Sequence, residues 1–236
     1  MANSNMVTTA GSSNLLRSLY RAWLRIRLRL TRHDLTRLRI EELNGLSIVV
    51  LPNVFNGVLV RTGAFLADTL DAATIAKGAR VLDLGTGSGL CALAVAPRAE
   101  HVIATDINPE AVRCARINAL LNHLDHKIEL RLGDLFEPVR EEKFDLILFN
   151  PPYYHGEPRD LSDHAWRSVD TFERFLRELS AHLTQGGSAL VVLSTDGEIA
   201  GALTGAAHLT TTIMRQRDFL NEVLTVYQIR VNRDTA

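Results

Sequence analysis

The sequence predicts an α/β protein, a doubly wound and mostly parallel sheet of seven strands with helices on both faces. Three observations carry this. From Phe65 onward, short apolar runs alternate with helical patterns, which requires a sheet covered on both sides. The first strand opens into "LGTGSGL", where Gly85, Gly87 and Gly89 allow a tight turn into a helix. The tail is β-rich with few helix formers, and reads as two strands finishing one edge.

In chain order, residues 1–13 are small and polar and read as disordered. Leu15, Leu19, Trp23 and Ile26 share one helical face, while "LRIRLRL" (24–30) alternates with period two, so helix and strand both fit. Asn44-Gly45 between two apolar-patterned runs marks a hairpin within 35–51. A helix over about 62–74 follows, then strand 79–85, helix 88–98, strand 101–106 and helix 109–121. Strands 128–134 and 144–150 come next. A helix over roughly 168–183, stopped by Gly186-Gly187, precedes strand 188–194. "HLTTTIMRQR" and "EVLTVYQIRV" supply the closing strands. No linker divides the body, so 35–236 reads as one domain behind a basic arm, 1–34.

Composition narrows the function classes. The 236 residues include only Cys91 and Cys114, without CxxC spacing, so neither a disulfide frame nor a zinc site is expected. The eight histidines form no HxxxH or HExxH pair, and no metal is expected. No apolar run approaches the roughly 20 residues of a membrane span, and a reducing, cytoplasmic setting is the expectation. Residues 1–40 carry eight arginines against Asp34, or +7, so with a total of −1 the remainder carries −8. The arm reads as a solvated face, as a contact with RNA or a ribosome-bound substrate, or as a targeting helix.

The glycine loop has GxGxG spacing. A dinucleotide fingerprint wants glycine where Leu90 stands, and Asp83, two residues before the loop, suits a cationic ligand better than a pyrophosphate. Asp106 ends the second strand, 17 residues after Gly89, where a carboxylate can accept from both ribose hydroxyls. Together these resemble the first motif of the class I S-adenosylmethionine-dependent methyltransferases. The resemblance implies S-adenosyl-L-methionine as cofactor and a seven-stranded Rossmann-like methyltransferase sheet with an antiparallel C-terminal edge hairpin. It puts Gly85, Gly87 and Gly89 along the methionine part and Asp83 near its amino group. It also puts Ile107 on the adenine face, Asp134 of "GDLF" on the adenine amino group, and Leu135 beside it. The upstream segment 51–70 resembles the stretch preceding that motif, which makes Thr62 a candidate cofactor contact. The domain then divides into a cofactor half, 52–140, and an acceptor half, 141–236.

"FDLILFNPPYYHG" carries the chemistry. Pro151 lacks an N–H and biases Asn150 toward an extended backbone at the strand end. The Asn150 side-chain oxygen and the Pro151 carbonyl are then two acceptors held close together, suited to a nitrogen bearing two N–H bonds. Tyr153 offers a flat face for stacking. "NPPY" resembles the signature of amino methyltransferases acting on planar nitrogens, including the HemK-like and small-domain group. It implies Asn150, Pro151 and Tyr153 as catalytic residues, Asn150 also touching cofactor, and Pro152 joining them in the substrate site. The polar segment 154–167 reads as a lid, with His155, Glu157 and His164 as candidate substrate contacts.

The leading function is transfer of a methyl group to a protein glutamine, with a release factor as partner. The alternatives are an adenine-N6 or guanine-N2 methyltransferase of RNA or DNA, a small-molecule N-methyltransferase, and a non-catalytic scaffold. Compact enzymes of the glutamine group often act with an activating partner subunit. Their "AWxGG"-like stretch is reduced here to Ala165-Trp166 without the glycines.

Overall fold

The computed structural model describes residues 37–71, 73–160, 163–195, 199–219 and 222–232. The basic arm, with its expected helix or strand at 15–30, lies outside the described residues.

Strands β1 (Arg39–Leu43) and β2 (Leu46–Val50) form an antiparallel hairpin about Asn44 (φ 52°) and Gly45 (φ 80°). Two left-handed central residues match the twist of the flanking strands. Helix α1 (Thr62–Ala67) leads to β3 (Arg80–Leu84), α2 (Leu90–Val95), β4 (His101–Asp106), α3 (Pro109–Leu121), β5 (Ile128–Leu132) and β6 (Phe144–Phe149). The two-residue strands β7 (Tyr154–His155) and β8 (Arg167–Ser168) pair before α4 (Thr171–His182). Then come β9 (Leu183–Ser194), the short α5 (Ala202–Gly205), β10 (Leu209–Asp218) and β11 (Val223–Val231).

The main sheet has seven strands in the order β10-β11-β9-β6-β3-β4-β5. Strands β5, β4, β3, β6 and β9 are parallel, and β11 runs antiparallel between β9 and β10. This is the doubly wound sheet with an antiparallel edge hairpin expected from the sequence. Because β3 pairs with both β4 and β6, the winding reverses there and opens a crevice at the carboxyl ends of β3 and β6.

Alternation along the strands divides the core. Val81, Leu146, Leu148 and Val192 pack on one face with α1, α2 and α3. Leu82, Ile147, Phe149 and Val191 pack on the other with Phe172, Phe175 and Leu179 of α4. Each fully buried large side chain contributes about 1.5–3 kcal/mol of transfer free energy. Helix α3 starts where Asn108 accepts from Glu110 N (3.0 Å) with Pro109 in the first turn. Its far end grips the hairpin. Asn118 accepts from Val49 N (2.8 Å) and donates to Val49 O (2.7 Å), and Asn122 does the same with Ser47 N (3.1 Å) and O (2.8 Å). Four helical residues rise about 6 Å and two strand residues about 6.8 Å, so the two amides match the edge of β2.

Several boundaries differ from expectation. Helix α1 ends at Ala67 rather than near 74, because Thr69 Oγ1 donates to Leu66 O (2.6 Å) and Asp71 Oδ1 accepts from Ala73 N and Thr74 N. Such side chains offer the backbone an alternative to helix. Helix α2 is confined to Leu90–Val95, with Gly89 left-handed before it and Pro97 soon after. Gly186-Gly187 do not stop α4. The helix ends at His182, Leu183 is already extended, and both glycines lie inside β9. There the pairing with β6 slips between Phe144 and Leu146, and a Cβ on Gly187 would stand 2.8 Å from Phe144 O.

Candidate active site

The crevice is built by the ends of β3, β4, β5 and β6. The loop after β3 is left-handed at Gly85, Gly87 and Gly89. At Gly89 (φ 85°) a Cβ would also lie 3.0 Å from Ala115 Cβ, so glycine is required both by conformation and by the packing of α3.

Asp83 is only 4% exposed. Its Oδ2 accepts from Thr86 Oγ1 (2.6 Å) and Ala92 N (3.0 Å), and burial raises its pKa to about 6 despite those bonds. Asp106 Oδ2 accepts from Gly87 N (2.9 Å) and Oδ1 from Asn108 N (2.9 Å). It therefore ties the glycine loop to the start of α3. Burial raises its pKa, against the lowering effect of those backbone donors. Ile107 is 38% exposed and lines the crevice with Asp134 and Leu135. Asp134 Oδ2 is held by Arg174 from α4 at 2.7 Å, a partner the sequence did not suggest.

Asn150 is half-buried at the end of β6. Its Nδ2 donates to Thr62 Oγ1 (3.2 Å), and its Oδ1 accepts from the Tyr153 hydroxyl. Thr62 is thus not an N-cap. Arg61 occupies that position, left-handed at φ 71° and without a side-chain cap. Tyr153 departs from the expected stacking platform. It is 5% exposed, its hydroxyl rather than its face serves Asn150, and burial pushes its phenol pKa up so that it stays a donor. Pro151 is buried, while Pro152 reaches the crevice.

Two adjoining clefts share Phe55, Gly85, Gly87, Asp106 and Asn150. One encloses about 720 Å³, counted to its open mouth, and extends to Ile107 and Asp134. The other, about 500 Å³, extends to Asp83, Gly57 and Gly63. Asn150 stands where they meet. Neither lining contains a lysine or arginine, whereas Asp83, Asp106 and Asp134 all contribute. That composition suits a cationic ligand without phosphates.

The segment after β6 closes over this junction. Tyr154 N donates to Trp166 O (2.9 Å), Trp166 meets Phe55 edge-on at 5.0 Å, and His164 and Ala165 line the larger cleft. His155 and Glu157 are exposed away from those linings. The roles of Phe55, Phe149 and Arg174 had no local signal, since each depends on elements far apart in the chain. Among the described residues no group of His, Cys, Asp and Glu is placed to hold a metal, and no helix is long and apolar enough to cross a membrane.

The sequence model of the family described as "Methyltransferase small domain" matches residues 45–221. The chain belongs to that family. This small-domain methyltransferase is 34% identical over 176 residues to a tRNA1(Val) (adenine(37)-N6)-methyltransferase of a Flavobacteriaceae bacterium, covering 73% of this chain and 68% of that one. It is 44% identical over 86 residues to a release factor glutamine methyltransferase of Aliivibrio fischeri, covering 35% of this chain and 30% of that one. A second release factor glutamine methyltransferase, of Cereibacter sphaeroides, is 35% identical over 156 residues, with 59% and 56% covered. The chain thus spans only part of the length of these glutamine-modifying relatives. In fold, it matches the T. thermophilus 16S rRNA N2 G1207 methyltransferase, solved with AdoMet and guanosine. The TM-score is 0.65 at 22% identity, over 83% of this chain and 50% of that one. The family uses S-adenosylmethionine, and the crevice of this small-domain methyltransferase, lined by three aspartates and by no lysine or arginine, fits that cationic group.

Proposed function

We propose that the protein transfers a methyl group from S-adenosylmethionine to a planar amide or amino nitrogen, and that its acceptor is a glutamine of a protein of release-factor type. The observation that carries the reaction is the position of Asn150 at the junction of the two clefts, with both ends of its amide engaged. In this reading Asp106 holds the ribose hydroxyls, and Ile107, Asp134 and Leu135 border the adenine. Asp83, Gly85, Gly87 and Gly89 surround the methionine part. The bound cofactor supplies an electrophilic methyl on a sulfonium.

The chain's own contribution is orientation. A nitrogen conjugated to a carbonyl or purine ring is a poor nucleophile because its lone pair is delocalised. Asn150 Oδ1 has two lone pairs, and the Tyr153 hydroxyl takes one. The other, with the Pro151 carbonyl, accepts the two N–H bonds of the acceptor and favours a pyramidal nitrogen aimed at the methyl. Because Thr62 and Tyr153 hold the amide beforehand, little reorganisation is needed during transfer. No strong base is required, since the methylated nitrogen loses its proton to water.

A glutamine acceptor is supported by the two release factor enzymes above and by the −8 charge outside residues 1–40, which disfavours nucleic acid. A nucleobase acceptor is the second reading, favoured by the coverage of the tRNA adenine-N6 relative. The partition into arm 1–34, cofactor half 52–140 and acceptor half 141–236 belongs to the same proposal. Methyl label from S-adenosylmethionine, followed into cell lysate and then treated with protease or nuclease, tests it. Loss of label to protease, followed by transfer to Gly-Gly-Gln peptides, is expected. Loss to nuclease alone would move the acceptor to a base.

A further inference from the structure

Three arginines gather around Phe65 and Phe219, at the rim of the sheet where Asn150 also stands, with β11 and β9 between β10 and the Asn150 strand. Arg61 immediately precedes Thr62, so it lies within one Cα–Cα step of the residue that holds the Asn150 amide. Arg215 and Arg217 come from the end of β10. Strand β9 is parallel to β6, and β11 is antiparallel to both β9 and β10, so β10 runs parallel to β6. Its last residues therefore reach the same rim of the sheet as Asn150. The guanidinium carbons of Arg61 and Arg217 lie 5.4 and 4.8 Å from the Phe219 ring centre, and that of Arg215 lies 5.2 Å from the Phe65 centre. Among the described residues, the only hydrogen bond from these groups is Arg215 to Asp68 O (2.9 Å), and none of them lies within 4.0 Å of a carboxylate.

Such an arrangement is costly to keep without a use. Three like charges converge, and Arg61 sits at φ 71°, where a non-glycine residue is strained. The aromatic rings hold the guanidinium planes and leave N–H edges for bidentate acceptors. Strand β10 is also the edge of the sheet, with no described strand on its outer side. Beyond the bulge at Met214, Arg215 and Arg217 point to one face at two-residue spacing. An extended polypeptide laid along that edge would bring alternate side chains opposite them, whereas a nucleic acid has no use for the strand's backbone groups.

We propose that Arg61, Arg215 and Arg217 dock an acidic, extended segment of the protein substrate, and that this segment lies several residues from the amide presented to Asn150, since roughly 19 Å of sheet separates the outer edge of β10 from β6. This rests on the glutamine reading of the site. The carboxylates would supply the ion-pair partners that these arginines lack among the described residues, and the open edge would fix the direction of the segment.

The test uses the full chain with fluorescein-labelled oligo-glutamate and, separately, labelled oligouridylate. Arg217→Gln, on an exposed side chain, should weaken peptide binding several-fold, and Arg61→Gln/Arg217→Gln by about tenfold or more, with steep dependence on salt. Comparing variants with the parent cancels any binding by the N-terminal arginines, and unchanged S-adenosylmethionine affinity shows that the variants are folded. Peptide binding that ignores both variants would overturn the proposal. So would oligouridylate binding that depends on these arginines while the peptide does not bind. Methylation of Gly-Gly-Gln peptides separates the two readings. Transfer unaffected by flanking glutamates or by the arginine variants would sink the docking rim alone. Arginine-dependent peptide binding without any glutamine methylation would sink the acceptor assignment and leave the rim.

Discussion

The side-chain amide of Asn150 donates to Thr62 Oγ1 at 3.2 Å, across 88 residues of chain. The contact joins the start of α1 to the end of β6 and, with the Tyr153 hydroxyl on the other side, leaves the amide one orientation. Thr62→Val keeps the volume but removes the acceptor, leaving a half-buried N–H unpaired at a cost of about 1–3 kcal/mol. Single-turnover methyl transfer should slow by about tenfold or more, with a smaller change in S-adenosylmethionine affinity. Thr62→Ser should recover most of the rate. A valine variant that transfers at the parental rate would show that Thr62 does not position the amide.

Asn150→Ala removes the acceptor itself. The rate should fall by on the order of 2–4 kcal/mol in barrier, the usual loss for a preorganised polar contact. The melting temperature should change little, because Asn150 lies at a strand end rather than in either half of the core. Full activity would end the mechanism proposed for this site.

Asp83 links stability and binding to pH with opposite signs. Its carboxyl has a pKa of about 6 in the fold against an ordinary 3.8, chiefly through burial. Between those values the folded protein holds more proton than the unfolded chain, so stability should fall as pH rises through the window, by about 3 kcal/mol in all. Affinity for the cationic cofactor should instead rise with pH through about 6, as the carboxylate forms. Asp83→Asn should flatten both profiles, raising ligand-free stability near neutral pH while weakening cofactor binding. Thermal melts and binding titrations across this range check both signs, and parallel slopes would contradict the assignment.

Asn118 is fully buried and serves three backbone groups, Val49 N, Val49 O and Ser88 O. Asn118→Leu should cost about 3 kcal/mol or more in chemical denaturation, since near-isosteric bulk leaves those groups without their partner. The loss should also loosen the glycine loop through Ser88 and weaken cofactor binding. Asn122→Ala, at a less buried bond pair, should cost about 1 kcal/mol.

Much of this protein was legible in one dimension. Alternation of strand and helix, GxGxG after "VLDL", the carboxylates at 106 and 134, and Asn150-Pro151 all lie within local windows. Their consequences follow from local rules, because apolar parallel strands must be covered on both faces and ligands gather at their carboxyl ends. Helix ends were less legible, because Thr69, Asp71 and Pro97 compete with propensity over single turns. Gly186-Gly187 have the local pattern of a helix stop, but in the fold they serve the irregular pairing of β9 with β6 opposite Phe144. Only the tertiary structure decided that Arg174 holds Asp134, that Asn118 clamps Val49, that Tyr153 turns its hydroxyl inward, and that Thr62 sets the Asn150 amide. Those contacts span 40, 69, 3 and 88 residues. The shortest of them is no more local than the rest, since which way Tyr153 faces depends on α1 closing over it. Sequence alone placed the reactive groups at the ends of strands. Their orientation is a property of the packing between elements, which no local pattern encodes.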